Sequence, residues 1–360
     1  MLQTKKTVII ACTLCFLFLT FTNSFAQKET QHPKNIILLI GDGMGTAQIY
    51  AGIVASKTKL NIERSQVIGF HKNQATDNFI TDSAAGATAF ATGKKTYNGA
   101  IGVDSAKRSL PTILEIAEQK GLATGLVATC SITQATPAAF IAHQPSRAMV
   151  EEIAADFLNT DIDVFIGGGR NHFAQRKDGK NLIDDLKSKN YQIANSIEEV
   201  EKIKSGKLAG FLADVEQVKM SEGRGNQLLK STETALNILK QNKKGFFLMV
   251  EGSQIDWGGH ANDTQYIVNE MLDFDQAIGA AFDFADKDGN TLVIITADHE
   301  TGGFSINDAD KDGHIEGKFT TKGHTGVMIP VFAYGKGASL FSGFYFNNDI
   351  FFKIKTAFKF

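Results

Sequence analysis

Short, unbroken apolar runs recur along the chain, and most end at a glycine or an acidic residue. They cover residues 36–40 before Gly41-Asp42-Gly43, 125–129, 164–166 before Gly167-Gly168-Gly169, and 246–250 before Glu251-Gly252. Two more cover 291–296 before Ala297-Asp298-His299, and 329–334 before Gly335. None alternates apolar with polar, so each reads as a strand buried on both faces. Between them apolar positions recur every three or four residues. Residues 111–120 read as a helix opened by Pro111 and stopped by Gly121. Residues 226–241 and 264–286 read likewise, the latter with Ile267, Met271, Phe274, Ile278 and Phe282 on one face. This alternation predicts an α/β fold, a three-layer sandwich with a mostly parallel central sheet and helices on both faces. No repeat or Pro/Ser-rich linker interrupts it, so residues 27–360 read as a single domain.

The first residues have a different pattern. Lys5 and Lys6 precede an apolar run over 7–20, followed by Ser24-Phe25-Ala26. That is the layout of a signal peptide over 1–26, cut near Ala26/Gln27. The run is too short to span a bilayer, which takes ~20 apolar residues. A periplasmic or secreted protein is expected, with no membrane segment in its mature form. Loss of Lys5 and Lys6 takes the formal net charge from −2 to −4, and no basic run suggests nucleic-acid binding. Cys12 and Cys15 leave with the leader, so Cys130 has no partner for an internal disulfide.

Polar residues cluster just after the strand-like runs, where an open α/β sheet places its ligand site. The segments are Gly41-Asp42-Gly43, Thr81-Asp82-Ser83-Ala84-Ala85-Gly86, Glu251-Gly252-Ser253-Gln254-Ile255-Asp256-Trp257-Gly258-Gly259-His260, Asp298-His299-Glu300 and Gly323-His324-Thr325. Each alone is a common turn or cap. Together they assemble aspartate and histidine in glycine-rich loops, the donor set of a divalent metal such as zinc. Ser83 opens a run of small residues that suits a helix N-terminus, where backbone N–H groups favour an anionic phosphate. A serine capping role there is the structural alternative. A serine hydroxyl is a poor nucleophile until a metal or base takes its proton, and no histidine adjoins Ser83 in sequence.

In these segments the chain resembles the alkaline phosphatase family, over about residues 34–354 and most closely its short periplasmic bacterial members. The resemblance implies a phosphomonoesterase of broad leaving-group tolerance, acting through a phosphoserine on Ser83. It implies two Zn2+ ions and one Mg2+. One zinc would be held by Asp256, His260 and His324, and the second by Asp42, Asp298, His299 and the Ser83 oxygen. Magnesium would use Asp42, Thr136 and Glu251. Arg147 matches the phosphate-gripping arginine, with Asp82 orienting it, and a homodimer is the assembly implied.

The chain departs from the pattern at Gln134, where better-known members carry Asp or His. A neutral amide can orient water but supplies no charge, so the third site is expected to be loose and Asp at 134 to tighten it. Trp257 reads as packing beside the site. Asp308, Asp310, Asp312 and Gly313 open like a calcium loop, but Phe319 stands where its glutamate belongs, so a solvated acidic turn is expected. His32, His71, His143, His172 and His314 match no ligand position. Two competing functions remain: a sulfatase or phosphodiesterase on a related scaffold, and a protein that captures phosphate without turnover. The first would use a different nucleophile motif, and the second would need no full metal-ligand set.

Overall fold

The structure is a computed structural model that describes residues 32–360; the leader expected over 1–26 lies outside the described residues. Ten strands form one sheet: β1 (Asn35–Gly41), β2 (Val67–Lys72), β3 (Ala123–Ser131), β4 (Val164–Gly168), β5 (Tyr191–Ala194), β6 (Lys207–Phe211), β7 (Phe246–Gly252), β8 (Thr291–Thr296), β13 (Ile329–Gly335) and β14 (Gly343–Phe346). Between β8 and β13 lie four short strands. These are β9 (Glu300–Thr301) paired with β12 (His324–Thr325), and β10 (Ser305–Ala309) paired with β11 (Ile315–Lys318). The large sheet runs β14-β2-β13-β8-β1-β7-β3-β4-β6-β5. Only β13 is antiparallel to its neighbours.

The apolar runs explain the layering. Successive side chains of a strand point to opposite faces, so Ile36, Leu38 and Ile40 enter one core while Ile37 and Leu39 enter the other. The first core is covered by the helices Ser83–Thr92, Ile113–Gln119, Val150–Asp156 and Asp349–Phe358. The second is covered by Thr46–Ala55, Gln227–Leu239 and Thr264–Asp288, whose Ile267, Met271, Phe274, Ile278 and Phe282 are all fully buried. This is the expected three-layer α/β sandwich. No helix among the described residues is long and apolar enough to cross a membrane.

The acidic turn forms the β10–β11 hairpin. Asp310 spends its carboxylate on the backbone N–H groups of Asp312 and His314 and on the His314 ring. Asp308, Asp310 and Asp312 are all exposed.

Candidate active site

Adjacent central strands bring three carboxylates to one edge. In β1 and β7, Ile40 lies opposite Glu251 and Gly41 opposite Gly252, while Ile40 lies opposite Thr296 of β8. Asp42, Glu251 and Asp298 therefore emerge side by side at the carboxyl ends of parallel strands. Gly43 then turns with φ +72°, and a Cβ there would lie 2.7 Å from the Asp256 Cα. Only glycine allows that approach. The helix Gln254–Ala261 carries Asp256 and His260 one turn apart on the same face. The β9–β12 pairing sets His324 opposite Thr301.

These elements converge. His260 Nε2 lies 3.3 Å from Asp256 Oδ2, and His324 Nε2 lies 3.6 Å from Asp256 Oδ1 and 3.2 Å from His260 Nε2. Each of these rings donates from Nδ1 to a backbone carbonyl, His260 to Lys322 and His324 to Thr81. In a neutral ring that leaves Nε2 as a bare acceptor. Two such lone pairs facing one another need a proton or a cation between them. His299 Nε2 lies 3.5 Å from Asp42 Oδ1, 3.2 Å from Asp298 Oδ2 and 3.2 Å from Ser83 Oγ. Thr301 Oγ1 donates to Asp256 Oδ1 at 2.5 Å and lies 3.2 Å from His299 Nδ1. Two groups thus hold ligand atoms within 4.8 Å of one another: Asp256, His260 and His324; and Asp42, Asp256 and His299.

The electrostatics call for positive charge. Burial, then the neighbouring carboxylates, raise Asp42 well above the usual carboxylate range. Burial likewise pushes Asp298 up to about 7, with Asp256 adding to it, and Glu251 up to about 7. Burial would raise Asp256 too, but His260 and the other imidazoles outweigh it and take it down to about 2. The Asp256 carboxylate lifts His260 to about 9, whereas burial and His324 hold His299 well below the ordinary imidazole value. Asp42 Oδ1, Asp298 Oδ2 and Thr136 Oγ1 are buried with no hydrogen-bond partner among the described residues. Orphaned buried oxygens beside bare imidazole nitrogens are costly unless a cation satisfies them. The donor set therefore fits divalent metal ions.

Ser83 is the first residue of the helix Ser83–Thr92, and the cap is Asp82, whose Oδ1 accepts from Ala85 N at 2.9 Å. The serine hydroxyl is thus free of capping duty. Asp82 Oδ2 accepts from Gly99 N at 3.0 Å and from Arg147 Nη1 at 3.2 Å, which sets the guanidinium close to the helix N-terminus. Gly86 lets the helix press on Asp298, where a Cβ would sit 3.1 Å from the aspartate Cβ.

Behind Asp42 lies a cavity of about 20 Å³ whose lining includes Thr136, Glu251, Gln134, Arg147 and Trp257. That is room for one small ion, and the half-buried Gln134, Arg147 and Trp257 leave its mouth toward solvent, where water can reach it. Cys130 Sγ donates to Glu251 Oε2 at 3.3 Å. Gln134 Nε2 donates to Glu216 Oε1 at 2.7 Å. Glu216 has no motif around it and stands 82 residues from Gln134 in a loop after β6, so nothing in the sequence pointed to it. Thr301 directly follows the Asp298-His299-Glu300 segment but is marked by no pattern of its own. Trp257 packs against the first core. The unmatched histidines are structural: His71 donates to the Ala297 carbonyl, His143 bridges Gly102 and Glu115, and His172 meets Ser131 and Thr133. His32 reaches the Ala357 carbonyl, and His314 is exposed.

A parallel α/β sheet that presents serine and arginine at a helix N-terminus, beside clustered carboxylates and imidazoles, is suited to hold a phosphate group. The chain belongs to the alkaline phosphatase family, whose model matches residues 33–316. It is 42% identical to alkaline phosphatase 4 of Bacillus subtilis over 332 residues, which is 87% of this chain and 71% of that protein. The solved alkaline phosphatase of the Antarctic bacterium TAB5 is 44% identical, with TM-score 0.87 over 91% of this chain and 98% of that one. A variant of that enzyme, solved with magnesium bound, is 45% identical, with TM-score 0.87 over 91% of this chain and 99% of that one.

Proposed function

We propose that this chain hydrolyses phosphate monoesters through a phosphoserine formed on Ser83. The observation that supports it most is the Ser83 hydroxyl, released from capping by Asp82, 3.2 Å from His299 Nε2 and at a helix N-terminus beside Arg147. The substrate phosphoryl group rests against the helix N-terminus, and the Arg147 fork holds two of its oxygens. Asp82 fixes the guanidinium. Ser83 Oγ, having lost its proton to solvent, attacks phosphorus in line; its bond to phosphorus forms as the ester oxygen leaves and takes up a proton from water. A second water then gives up a proton and attacks the phosphoserine from the vacated side, and the Oγ–P bond breaks to release phosphate and return the protonated Ser83 hydroxyl.

Asp256, His260 and His324 would hold one zinc; Asp42, Asp298, His299 and Ser83 a second; Asp42, Thr136 and Glu251 a magnesium. When bound, these ions neutralise developing charge and lower the pKa of the oxygens that attack and leave. The mouth beside His260 and His324 is an open cavity of about 320 Å³, also lined by Ile80, Thr81 and Asn98. Its size and its exposure to solvent support broad leaving-group tolerance. The catalytic domain is read as 27–360, exported by the leader to the periplasm or medium.

Turnover of a chromogenic phosphomonoester, with a diester and a sulfate ester alongside and with and without chelator, tests the reaction class. Ser83→Ala should lower kcat on the order of 10³-fold or more, the scale of losing a nucleophile. It should also abolish labelled phosphate trapped on the protein at low pH. Covalent phosphate persisting in that variant would overturn the assignment.

A further inference from the structure

Gln134 is the position where this chain lacks the charged or basic residue of better-known relatives, and the structure pairs it with a carboxylate from elsewhere. Glu216 Oε1 accepts from Gln134 Nε2 at 2.7 Å, and its Oε2 accepts from Ser131 N at 2.6 Å. Both carboxylate oxygens are therefore engaged on the segment that carries Gln134 and Thr136. The loop bearing Glu216 is itself pinned. Gln217 Nε2 donates to Ala128 O at 2.8 Å, and Gln254 Nε2 donates to Gln217 O at 2.9 Å. Gln217 and Gln254 are both buried.

With its nitrogen committed to Glu216, the Gln134 amide has its oxygen as the free pole, and Gln134 lines the cavity that also holds Thr136, Asp42 and Glu251. Small hard cations keep several waters and prefer oxygen ligands. An amide oxygen accepts hydrogen bonds from such waters, and a carboxylate behind the amide polarises it and adds negative charge nearby.

We infer that Glu216 is a positioning residue for the third cation site, turning the Gln134 amide oxygen toward the cavity and supplying the charge that Gln134 lacks. This rests on the reading of Asp42, Thr136 and Glu251 as a magnesium site. It also reverses the expectation for Asp at 134, because two carboxylates would then face one another outside the cavity, and like charges at such range repel.

The test is calorimetric titration of magnesium chloride into the zinc-loaded protein, for wild type, Glu216→Gln, Gln134→Asp and the double variant. Glu216→Gln should weaken magnesium binding by about tenfold or more, the usual loss on removing an outer partner of a ligand, with zinc content unchanged. Gln134→Asp should bind no more tightly than wild type, and the double variant should recover affinity that each single variant lacks. A residue that merely braces the loop would not show that recovery. Equal affinity in wild type and Glu216→Gln overturns the inference, as does tighter binding by Gln134→Asp alone. That last comparison stands even if Glu216→Gln does not fold. Absence of magnesium binding by the wild type overturns the third-site reading itself, and the role of Glu216 with it.

Discussion

His71 lies fully buried in β2, donates from Nε2 to the Ala297 carbonyl at 2.9 Å, and is held down to about 4 by burial. It thus fixes the backbone that leads into Asp298. A base with a depressed pKa in the folded state stays neutral there but charges in the unfolded chain. Its contribution is complete above the unfolded value of about 6.5 and is lost as pH falls toward 4. A shift of that size is worth up to about 3 kcal/mol at 1.36 kcal/mol per unit. His71→Gln keeps a donor and removes the proton site, so its urea-unfolding stability should fall less than wild type between pH 7 and 4. Parallel curves would refute the coupling. In the proposed reaction Arg147 works by geometry instead. Its guanidinium can hold two phosphate oxygens while Nη1 keeps Asp82, whereas a lysine ammonium is a point charge. Arg147→Lys should weaken competitive inhibition by inorganic phosphate about 10–100-fold, the scale of one lost charge-assisted hydrogen bond. Unchanged inhibition would remove it from the phosphate site.

At the scale of elements, the helix Ser83–Thr92 depends on one residue for two tasks. Asp82 caps it through Oδ1 and holds Gly99 and Arg147 through Oδ2. Asp82→Asn retains a good cap but loses the ion pair and the acceptor for Gly99 N–H; Asp82→Ala loses the cap as well. The first should bind phosphate more weakly and lose about 1 kcal/mol or more of stability through the Gly99 N–H. The second should lose a further 0.5–2 kcal/mol or so of stability, the measured range for a lost cap. Equal melting of the two variants would show that the cap contributes nothing. The small-residue run after Ser83 was readable because helix-compatible residues followed a capping residue, although capping falls to Asp82 and not to the serine. Six of the strands were legible for a related reason: β1, β3, β4, β7, β8 and β13 lie deep in the sheet, and burial on both faces demands unbroken apolar runs. β5, β6, β2 and β14 lie toward its two edges. There Ile68 and Phe344 face solvent, and β5 has only four residues, so the apolar signal is diluted. The candidate site showed because its glycines, carboxylates and imidazoles are contiguous in sequence. Glu216 did not, because its meaning comes only from the fold that folds its loop back onto Gln134.

Across the whole molecule, the central strands end in three buried carboxylates, Asp42, Glu251 and Asp298, with the buried Asp256 beside them on the helix Gln254–Ala261, and that placement ties folding to pH and, in the proposed reading, to metal. Without metal, Asp298 and Glu251 sit at about 7 against ordinary values of 3.8 and 4.5. An acid with a raised pKa in the folded state favours folding while it is protonated. Its contribution is complete below the unfolded value and is lost as pH rises through about 7. His260, lifted to about 9 by Asp256, acts in the same direction at higher pH, since its ion pair is lost when the ring deprotonates. The metal-free protein should therefore melt at progressively lower temperature from pH 6 to 9. Metal ligation requires the deprotonated forms and has the opposite pH dependence, because protons compete with the cation below about 7. A ligand at a thousand times its Kd adds about 4 kcal/mol. The gap in melting temperature between metal-loaded and chelator-treated protein should widen as pH rises. Zinc added to the metal-free protein at pH 6.5 should release protons, measurable by titration in buffers of different ionisation enthalpy. A gap that stays constant across that range, or uptake without proton release, would show that these carboxylates and His260 are not the groups that bind the metal.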